Sequence, residues 1–240
     1  MNTLIMIVAA ALLPAILLFV YIWKKDPKAE PISWLLKAVL LGMVICVPAA
    51  FLEMLVQALL WGVDGGQITL IDSTMQAFVV AALPEESIKL FALWLILRKN
   101  PFFDEHFDGI VYAVCVGLGF AAVENVLYLL TADDWVSVAI TRALLAVPGH
   151  YAFAILMGYY YSLYHFVNKS RKVAACVLLV PVAAHGVYDA LAMSGLVNPY
   201  IGGLSFFVLI WFCIKMHKVA KIKVVALIER DKMAEREIDK

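Results

Sequence analysis

Apolar residues in this chain come in long runs, separated by short clusters of charge. About 20 consecutive apolar residues in a helix cross the hydrocarbon core of a bilayer. Seven runs reach that length: Thr3–Trp23, Ile32–Leu60, Ser73–Leu97, Asp108–Leu130, Ser137–Phe166, Val173–Met193 and Pro199–His217. The second and fifth are long for a straight crossing, which implies tilt or an extra interfacial turn. The pattern predicts an all-α, polytopic helical membrane protein of about seven spans. A charged tail from Lys218 to Lys240 mixes Glu229, Arg230, Asp231 and Lys232 with Val224, Leu227 and Ile228, and reads as a helical extension of the last span. The organisation expected is therefore a helical bundle over 1–217 and a solvated or interfacial tail over 218–240.

The charges between the runs set an orientation. Lys24, Lys25 and Lys28, then Arg98 and Lys99, then Lys169, Arg171 and Lys172, then Lys215, Lys218, Lys221 and Lys223 occupy every second connection and the end. The others hold Asp64, Asp72, Asp133 and Asp134, or only Asn198. The positive-inside rule puts the basic connections in the cytoplasm, the N-terminus outside and the C-terminus inside. Lys24 and Lys25 follow the first run and no base precedes it, the reverse of a cleavable signal peptide, so the first span is expected to be retained. Trp23, Trp61, Trp135 and Tyr159 to Tyr161 read as interfacial anchors, and Glu53 as an interfacial charge.

Composition agrees. The chain is 64% hydrophobic and 16% charged, against about 45–50% and about 25% for a soluble domain. A net charge of zero gives no reason to expect nucleic acid. Cys46, Cys115, Cys176 and Cys213 have no zinc-type spacing and read as buried free thiols.

The chemistry lies where charge interrupts the apolar runs. Glu85, Glu86 and Lys89 sit mid-run in the third span, and a charged group at the bilayer centre costs about 2.5–3.5 kcal/mol. At ~1.5 Å per residue these carboxylates lie ~18 Å from the outer end, and His150 in span five ~19 Å. Glu124, His185 and Asp189 lie in the outer halves of spans four and six. Lys89 is four residues after Glu85 and three after Glu86, on a shared face. His185 and Asp189 stand at i and i+4, so the carboxylate can orient the imidazole or join it as a ligand. Pro84 opens the turn before the glutamates. Gly186 admits a neighbouring backbone, and Gly117, Gly119, Gly149 and Gly158 suit tight helix crossings. Asn125 reads as an interhelical hydrogen-bonder, and Arg142 as a cation able to reach inward.

Four carboxylates in one low-dielectric cavity cannot all stay ionised without a cation. Either some are protonated or a metal sits among them, with Glu86, Glu124, His150 and His185 as the ligand candidates and Zn2+ as the ion. The residues alone leave open a glutamate acting on free water, a metal-assisted hydrolase, a proton or divalent-cation transporter, and a non-catalytic peptide-binding or immunity protein.

At these positions the chain resembles the PrsW family of bacterial intramembrane proteases. The matching elements are E-E-x-x-K at Glu85–Lys89, F-x-x-x-E-N at Phe120 to Glu124-Asn125, Pro-Gly-His ending at His150, and H-G-x-Y-D at His185–Asp189. They fall in order on spans three to six. The resemblance implies a membrane-embedded endopeptidase of the bacterial cytoplasmic membrane, similar to site-1 proteases that cut anti-sigma factors on the extracytoplasmic side in envelope stress. It implies Glu85 or Glu86 as general base, with Glu124, His150 and His185 holding the water or a metal. Asp189 would orient His185, and Lys89 would tune the carboxylates. The wider group includes the CAAX prenyl endopeptidases, which have His where this chain has Glu124, and that difference adds weight to a metal. The expected partners are a membrane-anchored protein or peptide substrate and the lipid bilayer.

Overall fold

The computed structural model describes residues 2–61 and 69–238. Asp64 and the last two residues of the tail lie outside them. Among the described residues every element is helical: α1 (Thr3–Trp23), α2 (Ile32–Trp61), α3 (Leu70–Met75), α4 (Leu83–Leu97), α5 (Asp108–Thr131), α6 (Trp135–Thr141), α7 (Val147–Ser162), α8 (Arg171–Val197) and α9 (Pro199–Ile238). A helix satisfies its backbone groups within its own segment, the condition a hydrocarbon surrounding imposes. Side chains close the exposed ends: Asn2 accepts from the Leu4 N–H, Thr69 and Asp72 form a capping box, and Ser170 accepts from the Val173 N–H.

Six of the helical stretches are long and apolar enough to cross a membrane. They carry Leu59, Val47, Phe51, Met54 and Phe207 outward, an apolar exterior that suits lipid rather than water. The remaining stretch runs from Leu70 to Leu97 without a break in helix. Glu85, Glu86 and Lys89 in its middle separate it from those six, and the expected count of seven rests on it. It begins three residues before the expected Ser73 because the capping box at Thr69 starts the helix earlier.

The core forms around α5, whose residues from Asp108 to Ala122 are all buried. Backbone-to-backbone crossings hold it. A Cβ on Gly42 of α2 would stand 2.2 Å from the Val116 carbonyl oxygen, and one on Gly119 only 2.1 Å from that of Val39. A Cβ on Gly158 of α7 would meet the Gly109 carbonyl oxygen at 2.4 Å. Gly117 packs on Ala154 at 2.8 Å by the same measure. Small residues at such crossings let dispersion contacts form without a hydrophobic driving force. Gly149 departs from the expectation: its nearest foreign atom would be 3.5 Å from a Cβ, an ordinary contact.

One face of the bundle gathers the connection from 24 to 31, the connection from 98 to 107, and the far end of α9. Lys28 Nζ donates to Asp104 at 3.0 Å. Asp231 on α9 accepts from the backbone N–H groups of His106 and Phe107, both at 2.9 Å, and lies 2.5 Å from the His106 ring. α9 continues unbroken through Lys218, and Ala220, Val224 and Leu227 of the tail region are buried in the main core.

Asp26 and Glu30 on this face are buried, and the Tyr112 hydroxyl donates to Glu30. Burial raises Asp26 from 3.8 to about 6 and Glu30 from 4.5 to about 7. The folded state holds these protons where the unfolded chain has released them. Their stabilising effect is complete below about pH 4 and is lost as pH climbs through 6 to 7. Melting temperature in detergent is expected to fall from pH 5 to pH 8, and Asp26→Asn with Glu30→Gln to flatten that slope. An unchanged slope in the double variant would remove these two acids as its cause.

Candidate active site

Two prolines set up the site. Pro84 lies in the first turn of α4, just before Glu85 and Glu86, and Pro148 in the first turn of α7, two residues before His150. A π-helical stretch leads into each: Gln76–Ala82 into α4 and Arg142–Ala146 into α7. A proline has no N–H for the preceding turn and its ring crowds the carbonyl there. Widening to i→i+5 bonding accommodates both, and single π turns of this kind recur at functional sites. The Leu83 N–H accordingly reaches back to the Phe78 carbonyl.

Glu85, Glu86, His150 and His185 form one buried cluster in which one donor atom from each lies within 4.8 Å of the others. Lys89 Nζ stands among them, 2.8 Å from Glu85 Oε2, 2.9 Å from Glu86 Oε1 and 3.3 Å from His150 Nδ1. An ammonium only donates, so His150 Nδ1 is the acceptor and its Nε2–H donates to Glu124 Oε2 at 2.7 Å. His185 Nδ1 is 2.9 Å from Glu86 Oε1, and its Nε2 is 3.3 Å from Asp189 Oδ2. Each imidazole thus turns Nδ1 to the centre and has a carboxylate on Nε2. Phe153 stacks on His185 at 4.8 Å, and the Phe120 ring lies 4.1 Å from Lys89 Nζ.

A second layer holds Glu124. Arg142 Nη2 is 3.0 Å from Glu124 Oε2, and its Nε donates to Asn125 Oδ1 at 2.6 Å. Asn125 Nδ2 in turn donates to the Ala11 carbonyl on α1. Against four carboxylates the site therefore sets two fixed cations, Lys89 and Arg142, with the imidazoles between them.

A cavity of about 250 Å³ opens beside the cluster, lined among others by Glu85, Glu124, Arg142, His150, His185 and Asp189. Glu53, Gln76, Tyr128 and Met193 also line it. These four sit toward the helix ends remote from Asp104, His106 and Asp231, so the cavity faces away from the basic connections. Glu86 is 1% exposed and lies behind the wall, whereas Glu85 is on it.

All nine candidate residues named from the sequence meet at this one place. Three details differ from expectation. Glu124 stands behind His150 rather than in the four-donor group, because His150 comes between it and the centre. The atom close to Gly186 belongs to the Phe78 ring, 2.3 Å from where a Cβ would be, and not to a backbone. Glu53 lines the cavity instead of the interface, because α2 packs against the helical stretch that starts at Leu70, whose Gln76 and Ala81 line the same cavity. Gln76 and Phe153 also line the cavity without a sign in the sequence beyond Phe153 standing three residues after His150, and Tyr188 lines it too, known from the sequence only as the Tyr of the H-G-x-Y-D element.

The donor set suits a divalent ion. Buried glutamates and imidazoles are zinc-competent ligands, and a carboxylate on the far nitrogen of each histidine is the usual support for one. Fold and site together define a multi-pass membrane protein with an acid–imidazole centre able to hold a metal inside the bundle. The profile of the family described as "PrsW family intramembrane metalloprotease" matches residues 30–215. Protease PrsW of Geobacillus kaustophilus is 36% identical over 217 residues, covering 90% of this chain and 92% of its own. Protease PrsW of Bacillus subtilis is 34% identical over 226 residues, covering 93% and 98%. That of Clostridioides difficile is 37% identical over 189 residues, covering 76% and 77%. No solved structure matches. The chain belongs to the PrsW family of intramembrane metalloproteases, and is a membrane-embedded protease.

Proposed function

We propose that this protease hydrolyses a peptide bond in a single-pass, membrane-anchored protein, at the extracytoplasmic side of the bacterial cytoplasmic membrane. An anti-sigma factor, cut at site 1, is the substrate class. The observation that carries the side of cleavage is the direction of the cavity, away from the face holding Lys24, Lys25, Arg98 and Lys99. With that basic face in the cytoplasm, the stretch from Leu70 to Leu97 is the seventh crossing, the N-terminus is outside and the tail from 218 to 240 is inside.

Glu86, His150 and His185 would hold a zinc ion, three protein ligands being the usual number at a catalytic site. Such an ion supplies a water acidified toward neutral pH and a Lewis acid for the carbonyl. Glu85 acts as the base. It is on the cavity wall, and among the described residues its Oε1 has no hydrogen-bond partner. It takes a proton from the attacking water as the new C–O bond forms, and returns it to the amide nitrogen as the C–N bond breaks. Arg142, on the same wall, faces the charge that develops on the carbonyl oxygen. Asp189 and Glu124 fix the ring orientations of His185 and His150.

The test is cleavage in liposomes by purified protein, with a single-pass anti-sigma factor labelled on both sides of its membrane segment. The expected product is one cut on the extracytoplasmic side. A cut on the cytoplasmic side would overturn the orientation. Ion flux without any cleavage would overturn the substrate reading.

A further inference from the structure

Lys89 occupies the middle of the donor cluster. Its ammonium is bonded to Glu85 Oε2, Glu86 Oε1 and His150 Nδ1, three of the four donors that could hold a metal. A carboxylate oxygen has two lone pairs and can be shared, but an imidazole nitrogen has one. That of His150 Nδ1 is directed at Lys89 Nζ. It cannot serve the ammonium and an ion together. Two cations at hydrogen-bond distance from the same oxygens would also repel strongly in this buried setting, where Lys89 is 4% exposed and Glu86 1%.

We propose that Lys89 is an internal plug: a cation of the chain itself that fills the metal position, so that ion and ammonium are mutually exclusive occupants. This deepens the metal-holding reading of the site and rests on it. Without an ion, Lys89 neutralises the glutamates and ties α4 to His150 on α7. When an ion enters, the ammonium gives up His150 and Glu86. The Phe120 ring, already 4.1 Å from Nζ, offers it a π face on the way out. The coupling is reciprocal: whatever holds Lys89 in the cluster weakens the metal by the same factor. A substrate that draws the ammonium aside would tighten the ion, which links metal occupancy to substrate binding.

The experiment measures metal binding rather than cleavage. Wild type, Lys89→Met and Lys89→Arg of the full chain are purified in detergent and stripped with chelator. Each is titrated with Co2+ by its visible absorption and with Zn2+ by chelator competition. Lys89→Met is expected to bind at least ~10-fold more tightly than wild type, within the usual range of coupling between sites. Lys89→Arg, which keeps the charge, is expected to bind no more tightly than wild type. Equal or weaker binding by a Lys89→Met variant of unchanged helix content would overturn the plug while leaving the metal site. No Co2+ uptake by any variant would overturn both, and the liposome cleavage assay would still test the protease reading alone. If Lys89→Met does not fold, a structure of wild type with Co2+ decides. An ion in the cluster with Lys89 Nζ still 3.3 Å from His150 Nδ1 would overturn the proposal; an ammonium withdrawn from His150 and Glu86 is the expected result.

Discussion

Glu85→Gln is expected to slow cleavage of a single-pass substrate by ~10²–10⁴-fold with melting temperature little changed, whereas Glu86→Gln loses activity and stability together. The two glutamates are adjacent, yet their surroundings differ. Glu85 faces the cavity, with one oxygen tied to Lys89. A Gln there keeps shape and an acceptor for Lys89 but cannot take a proton from water. Glu86 is 1% exposed and holds Lys89 Nζ and His185 Nδ1 through the same Oε1, each at 2.9 Å. Removing one member of a buried ion pair costs about 3–5 kcal/mol, because the partner is left buried and uncompensated. The measurement is initial rate in liposomes beside thermal unfolding of the same preparations. Wild-type cleavage by Glu85→Gln would transfer the base role elsewhere, and full stability of Glu86→Gln would show that its buried pairing is not needed for the fold.

Gly119→Ala is expected to destabilise the bundle by about 1–3 kcal/mol, with Gly149→Ala as a neutral or slightly stabilising comparison. The added Cβ at 119 would stand 2.1 Å from a backbone carbonyl oxygen on α2, which no side-chain rotation can relieve. α2 and α5 must separate, and α5 carries Glu124 and Asn125 five and six residues further on. At Gly149 an added Cβ would by contrast make only ordinary contacts, with 3.5 Å to the nearest atom, on the Phe153 ring. There the gain of helix propensity, about 1 kcal/mol for Gly to Ala, is free to act. Unfolding midpoints of the two variants in one detergent check this. Equal midpoints would mean that the α2–α5 crossing does not limit stability.

Much of this architecture was legible because a membrane helix must be apolar almost throughout, so Glu85, Glu86, Lys89, His150 and His185 stand out as exceptions. The His185–Asp189 step was legible as well, since i and i+4 share a face. What could not be read is anything that depends on how helices face one another. Lys89 reaches His150, 61 positions away in sequence, only because α4 and α7 present these faces across the same gap. Glu124 gave no sign of whether it would meet the centre directly or through an imidazole. The π-helical turns before Pro84 and Pro148 are likewise invisible in composition: a proline can kink, end or widen a helix, and packing around it chooses. Glu53 looked interfacial because a distance along one helix says nothing of which side that helix turns inward.

The clasp between Asp231 and the backbone at His106 and Phe107 has a practical bearing. Those amides immediately precede α5, the helix on which the whole bundle is threaded. Shortening the gene at the end of the seventh apolar run, an obvious choice for crystallisation, would delete the latch that tethers this entry point. Expression tags belong beyond residue 240, and trimmed versions should be screened for the loss of that anchor before any drop in turnover is blamed on the glutamates.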